Sequence, residues 1–273
     1  MKNKSLRWLT ESAVMIALGT ALSMVKVVDF PYGGSVTLMS MLPVMLIAYR
    51  YGTLRGLVTG AVYGTLQLLL GMSTLSYATS MVSAVAIILL DYVVAFAVLG
   101  LAGAFRGTSK RQSEPLLLGG FVACLMRYVC HVVTGCTVWA GVSIPSGDGL
   151  LYSLGYNATY MLPETVITLI GLWYLTDLVD LRGESLRAVT RDKKETATPR
   201  VILSLILADV LAAVCWDVVL VFSKLQDADT GDFSITGLAN VSWTTVGWVT
   251  GGAALIAVAL YVVGLLLARK KAE

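Results

Sequence analysis

Eight apolar stretches divide this chain, at roughly 8–28, 36–50, 56–72, 81–105, 116–142, 150–180, 200–222 and 244–268. Hydrophobic residues make up 57% of the sequence and charged residues 14%, where soluble domains carry about 25% charged residues. A spanning helix needs about 20 apolar residues, and segments four to eight reach that length. Segments two and three are shorter and are joined by Tyr49-Arg50-Tyr51-Gly52-Thr53-Leu54-Arg55. They read as two tilted or partly shielded spans rather than a reentrant pair. The pattern predicts an all-α fold, a polytopic membrane helical bundle. Its core has six helices, and two additional transmembrane helices follow.

The basic residues supply an orientation. With a cytoplasmic N-terminus and eight crossings, seventeen of the 20 Lys and Arg residues fall on the inner side or at the inner helix ends. Lys26 and Lys224 lie outside, and Arg127 lies within the membrane. Cytoplasmic loops carry such an excess of Lys and Arg, so both termini are expected in the cytoplasm. The basic start and the Ala21-Leu22-Ser23 sequence imitate a signal peptide, but the apolar run continues without a polar mature start, and a retained first span is expected. The longest charged stretch, 182–200, separates a core at 1–181 from an accessory two-helix hairpin at 201–273. The acidic loop with Asp227, Asp229 and Asp232 is expected to face outward.

Several chemistries are excluded. Gly107-Thr108-Ser109-Lys110 lacks the spacing of a nucleotide-binding loop, and no HExxH, GxSxG or paired-carboxylate motif occurs. Cys124, Cys130, Cys136 and Cys215 form no C-x-x-C pair and read as small buried hydrophobes rather than metal ligands. Neither catalysis, a metal, a cofactor nor nucleic acid is expected.

Polar residues within the apolar segments are the informative ones, because such groups are costly in hydrocarbon. Arg127, His131 (the only histidine), Gly135 and Trp139 recur every four residues in segment five. Segment four carries Asp91-Tyr92. Asp91 either pairs with Arg127 or faces a cationic ligand. Segment six carries Tyr152, Tyr156, Tyr160 and Glu164 at the same spacing, with Asn157 among them. A buried amide demands hydrogen-bond partners, and aromatic faces attract organic cations. Together these groups suit a flat, nitrogen-rich cation. In segment one, Ala13, Ala17 and Ala21 form a smooth strip on which another helix can approach. That helix belongs either to the same bundle or to a partner.

At this point the sequence resembles the thiamine-specific family (ThiT/YuaJ) of substrate-binding S components of energy-coupling-factor vitamin transporters. The resemblance covers about residues 6–181. It rests on L-T-E-S-A at 9–13, Y-G-G-S-V-T-L-M-S-M-L-P at 32–43, L-D-Y at 90–92, L-G-L-A-G at 99–103, R-Y-V-C-H at 127–131 with Trp139, and Y-S-L-G-Y-N at 152–157. It implies a six-helix core that binds thiamine near the outer face of the cell membrane, working with a transmembrane coupling subunit and two ATPase subunits. Asp91 stands at the family's acidic position and Tyr92 at its ligand-contacting tyrosine. Arg127, His131, Trp139, Tyr152 and Asn157 match further contacts, and Ala13, Ala17 and Ala21 match the face that docks on the coupling subunit. A tryptophan of the first outer loop is replaced at Gly34, so Tyr77 is expected to supply the missing wall. A thiamine precursor, another vitamin, or a membrane assembly role without transport are the alternatives.

Overall fold

The computed structural model describes residues 2–29, 34–139, 149–183, 185–189, 197–225 and 234–269. The Tyr32-Gly33 pair, the acidic loop residues Asp227, Asp229 and Asp232, and linker residues 190–196 lie outside the described residues. Eight helical rods follow in order. They are α1 (Lys2–Ser23), α2 (Leu42–Tyr51), α3 (Thr53–Leu70), α4 (Met81–Gly103), α5 (Ser113–Thr137), α6 (Gly149–Leu178), α7 (Ala197–Leu225) and α8 (Trp243–Arg269). Contacts divide the chain into two compact units, Met1–Ala188 and Val189–Glu273.

The first apolar segment does not stay helical to its end. After α1 the chain turns into strand β1 (Lys26–Asp29), which pairs antiparallel with β2 (Ser35–Thr37). Val25, Val27 and Val28 surround this change, and β-branched residues fit a pleated strand better than a helix. The second segment is likewise split between β2 and α2. Helix α2 has 10 residues, about 15 Å of rise, which is half the hydrocarbon thickness. Its residues from Leu42 to Arg50 are all buried, so this rod is shielded by its neighbours. Met81–Gly103, Ser113–Thr137, Ser204–Leu225 and Trp243–Gly264 are each long and apolar enough to cross a membrane.

The core of the first unit packs Met41, just before α2, and Met45 and Tyr49 of α2 with Tyr63 of α3, Phe96 and Leu99 of α4, Leu116 and Cys124 of α5, and Leu172 of α6. Helices α3 and α4 meet backbone to backbone. Gly56, Gly60 and Gly64 recur every four residues along α3, the small-residue spacing that lets membrane helices approach closely. A Cβ at Gly60 would lie 2.3 Å from the Phe96 carbonyl oxygen, and one at Gly64 would lie 2.5 Å from that of Tyr92. The side facing α1 is polar. Trp8 Nε1 donates to Thr59 Oγ1 (3.3 Å), Ser12 and Thr59 hydroxyls are 3.1 Å apart, and Tyr63 donates to the Gly19 carbonyl (3.1 Å). At the other end of α5, Gln112 donates to the carbonyls of Thr176 and Val179 (both 2.7 Å) and accepts from the Leu181 amide (3.0 Å). One side chain thus fastens the start of α5 to the end of α6.

Within the second unit, α7 and α8 pack as a pair, and Thr250 donates to Asp217 Oδ2 at 2.6 Å. Trp216 and Trp248 are exposed.

Gly60→Val is expected to destabilise the protein by at least about 1–3 kcal/mol, because the added atoms overpack a backbone contact. Thermal unfolding of the purified protein measures it. Gly251→Ala, where a Cβ meets nothing within 4 Å, is the matched control.

Candidate functional site

The polar residues singled out above converge on one cavity. It has a volume of about 540 Å³ and is walled by α3, α4, α5, α6 and the β1–β2 hairpin. Asp91, Tyr92, Arg127, His131, Gly135, Trp139, Asn157 and Tyr77 all line it. Tyr152 does not. It packs against the cluster of Ile87 and Trp139.

Asp91 is the centre of the arrangement. It lies in Ile87–Val94, where α4 widens to i→i+5 hydrogen bonding. Such wide turns are rare and concentrate at functional sites. Asp91 Oδ1 accepts from the Thr134 hydroxyl and from His131 Nδ1 (3.0 Å), and Oδ2 accepts from the Trp139 indole N–H (3.0 Å). A carboxylate only accepts, so His131 donates from Nδ1. Nε2 has no hydrogen-bond partner among the described residues. Two donors from α5 and one just past its end therefore hold a carboxylate from another helix.

The Asp91–Arg127 pair considered from sequence does not form. Arg127 Nη1 instead donates to Glu164 Oε2 (3.2 Å), and its guanidinium lies 4.4 Å from the centroid of the Phe96 ring. Glu164 Oε1 accepts from the Thr37 hydroxyl, which sits 2.6 Å from Ser40 Oγ. The reason is helical register. Glu164 stands two turns beyond Tyr156 on α6, level with Arg127, whereas Asp91 is level with His131 and Thr134.

These pairings set the charge of the cavity. Lys26 pairs with Asp29 at 2.8 Å and Arg127 with Glu164. Asp91 is the lining carboxylate that no Lys or Arg pairs with among the described residues. The cavity thus presents a carboxylate without a Lys or Arg partner among aromatic rings. Aromatic faces and a shielded carboxylate both favour an organic cation.

Asn157 is already committed. Its amide donates to the Ser153 carbonyl (2.8 Å), the Ser153 hydroxyl (3.2 Å) and the His131 carbonyl (3.2 Å), and its oxygen accepts from Tyr160 (2.5 Å). The protein therefore supplies the partners expected of a ligand, and Asn157 braces α5 against α6. Gly135 makes this possible: a Cβ there would meet Ser153 Oγ at 2.0 Å. Tyr92 donates to Thr74 Oγ1 (3.0 Å) and to the Gly71 carbonyl (3.3 Å), tying α4 to the turn after α3.

The wall opposite the first loop has two aromatic parts. Tyr77 lies 5.8 Å from Trp139, ring to ring. Tyr160, which the sequence analysis did not assign to the site, faces Gly34, where a Cβ would meet its ring at 3.1 Å. The residue's i, i+4, i+8 spacing from Tyr152 and Tyr156 was the available signal. Thr37, Ser40, Tyr63 and Gln67 also line the cavity, and the sequence analysis did not single them out.

The sequence profile of the Thiamine transporter protein family (Thia_YuaJ) matches residues 9–180. The chain belongs to that family. Thiamine transporter ThiT of Bacillus subtilis (strain 168) is 35% identical over 186 residues, which cover 64% of this chain and 92% of that relative. Thiamine transporter ThiT of Lacticaseibacillus paracasei is 26% identical over 189 residues, 62% of this chain and 86% of the relative. A solved structure of ThiT from Listeria monocytogenes superposes with a TM-score of 0.53 at 23% identity, covering 63% of this chain and 94% of that one. This family is one of membrane transporters, not enzymes. The match stops at residue 180, so α7 and α8 lie outside it.

Glu164 is buried beneath Arg127. Glu164→Gln is expected to cost about 3–5 kcal/mol of stability, the penalty for leaving a buried charge unpaired. Arg127→Met with Glu164→Gln should recover most of that loss. Chemical denaturation of the three proteins measures the coupling.

Proposed function

We propose that this chain is the substrate-binding subunit of an energy-coupling-factor transporter and that thiamine is the ligand of the cavity at Asp91. The observation that carries the reading is the Asp91 carboxylate, with no Lys or Arg partner, among aromatic side chains. Thiamine joins a thiazolium cation to an aminopyrimidine. The cation suits Asp91 and the faces of Trp139, Tyr77 and Tyr92. The exocyclic amine suits an acceptor such as His131 Nε2. Asn157 and Tyr152 act behind the ligand, holding α5 on α6 and supporting Trp139. Arg127, neutralised by Glu164, forms the floor without repelling a cation. The cavity volume of about 540 Å³ lies within the usual range of about 300–1,000 Å³ for small-molecule sites.

Energy must come from elsewhere, since the sequence holds no nucleotide-binding loop. A transmembrane coupling subunit with two ATPase subunits fits this need. Ala13, Ala17 and Ala21 are exposed along α1 and provide the flat strip on which that subunit docks. The protein then sits in the cell membrane with both termini inside and the cavity open to the outside. A core at 1–181, a linker at 182–200 and a hairpin at 201–273 serve binding, connection and an accessory role.

A second reading, a thiamine precursor as ligand, is favoured by one observation. Tyr160 stands at the Gly34 wall in place of a loop tryptophan, which reshapes the site. Equilibrium titration of the purified full chain by tryptophan quenching tests both. Thiamine should bind at micromolar concentration or below, more tightly than its isolated pyrimidine and thiazole halves. No binding in that range overturns the assignment, and a preference for one half selects the second reading.

Asp91→Asn should weaken thiamine binding more than tenfold, about 1.4 kcal/mol. Trp139→Ala should weaken it roughly 2- to 30-fold, the range of one cation–aromatic contact. Calorimetric titration of both variants supplies the numbers.

A further inference from the structure

A second pocket, of about 750 Å³, lies at the far end of the first unit. Arg55 at the start of α3 and residues Lys4 to Glu11 of α1 line it, whereas the opposite ends of the same helices, Leu70 and Ser23, line the Asp91 cavity. About 22 Å of helix separates Arg55 from Leu70. The two sites therefore face opposite sides of the apolar layer.

Its lining is strongly basic. Lys4, Arg7, Arg50, Arg55, Arg106 and Arg182 surround it, and Glu11 is the carboxylate among the lining residues. That carboxylate is spent. Oε1 accepts from Arg7 Nε (3.0 Å) and Arg50 Nη2 (3.3 Å), and Oε2 from Arg50 Nε (2.9 Å). Arg182 is held by the carbonyls of Ser109 (2.7 Å) and Lys110 (2.6 Å). Lys4, Arg55 and Arg106 have no carboxylate partner among the described residues. Arg55 is nonetheless positioned, lying 5.5 Å from the Trp8 ring centroid.

We propose that this pocket binds the phosphodiester headgroup of an anionic membrane phospholipid. Three cations converging without a counter-charge call for an anion, and arginine presents paired N–H groups to phosphate oxygens. The surroundings make it a lipid. Leu6, which lines the pocket, is 63% exposed, and Leu54 beside Arg55 is 74% exposed. Acyl chains would cover both, and Trp8 is the kind of ring that sits at the headgroup level. Basic pockets between membrane helices recognise anionic headgroups in this way. A choline or ethanolamine headgroup fits poorly, because its ammonium would meet cations and find Glu11 already paired. The bound lipid would link α1, α3 and the turn after α4 across the end of the bundle.

The test uses the purified full chain in mixed micelles, with no thiamine present, so its outcome is independent of the vitamin assignment. Dioleoyl phosphatidylglycerol is compared with dioleoyl phosphatidylcholine and with inorganic phosphate. The expected result is a rise in Tm of several degrees with phosphatidylglycerol only, since a ligand of the folded state stabilises it. Native mass spectrometry should show retained phosphatidylglycerol. Arg55→Gln with Arg106→Gln should lose on the order of tenfold in lipid affinity. Glu114→Gln, which does not line the pocket, should lose none and controls for folding. Equal stabilisation by both lipids overturns the proposal, as does a double variant that keeps full lipid affinity. An equal shift from inorganic phosphate assigns the pocket to a free anion and overturns the lipid.

Discussion

A single carboxylate inside an apolar span dictates much of this molecule. Asp91 could not be held in hydrocarbon without partners, and its three donors come from α5 and the residue two beyond its end. Those contacts fix the rotation of α5 against α4. The same helix then needs α6 close behind it, and Gly135 admits Ser153 and Asn157 to that position. Asn157 returns the favour by binding the His131 carbonyl. Site geometry and helix packing are one network here. A change in either is felt by the other.

The second buried pair sets the character of the cavity rather than its shape. Arg127 and Glu164 cancel, and Thr37, beside Ser40, adds a hydrogen bond to the acid. Buried ion pairs add little stability, because desolvation offsets attraction. The pair leaves a polar floor with no net charge beneath Asp91.

The sequence revealed the helical class because long apolar runs cannot be anything else in a membrane. It also revealed Asp91, Arg127, His131 and Trp139, since each is conspicuous against its apolar neighbours. The partners of Arg127 were not legible. Pairing depends on the relative height of helices, and composition is silent about height. Tyr160 was hidden for the opposite reason, as one more tyrosine among several. The strand at Lys26–Asp29 was concealed by apolar residues that suit helix and strand alike. The glycine row of α3 was in plain view but has meaning only once α4 is known to cross it. Helices α7 and α8 stand outside the family match, and their exposed Trp216 and Trp248 are those of a hairpin with little core of its own.

The widened turn of α4 has an evolutionary consequence. The eight residues from Ile87 to Val94 carry the cavity-lining acid Asp91 on one side and, through the Tyr92 carbonyl, touch Gly64 on the other. Losing or gaining one residue there would rotate the acid away from α5 and break the backbone contact with α3 together. Related chains should therefore vary freely in loop length while keeping the number of residues in this stretch constant.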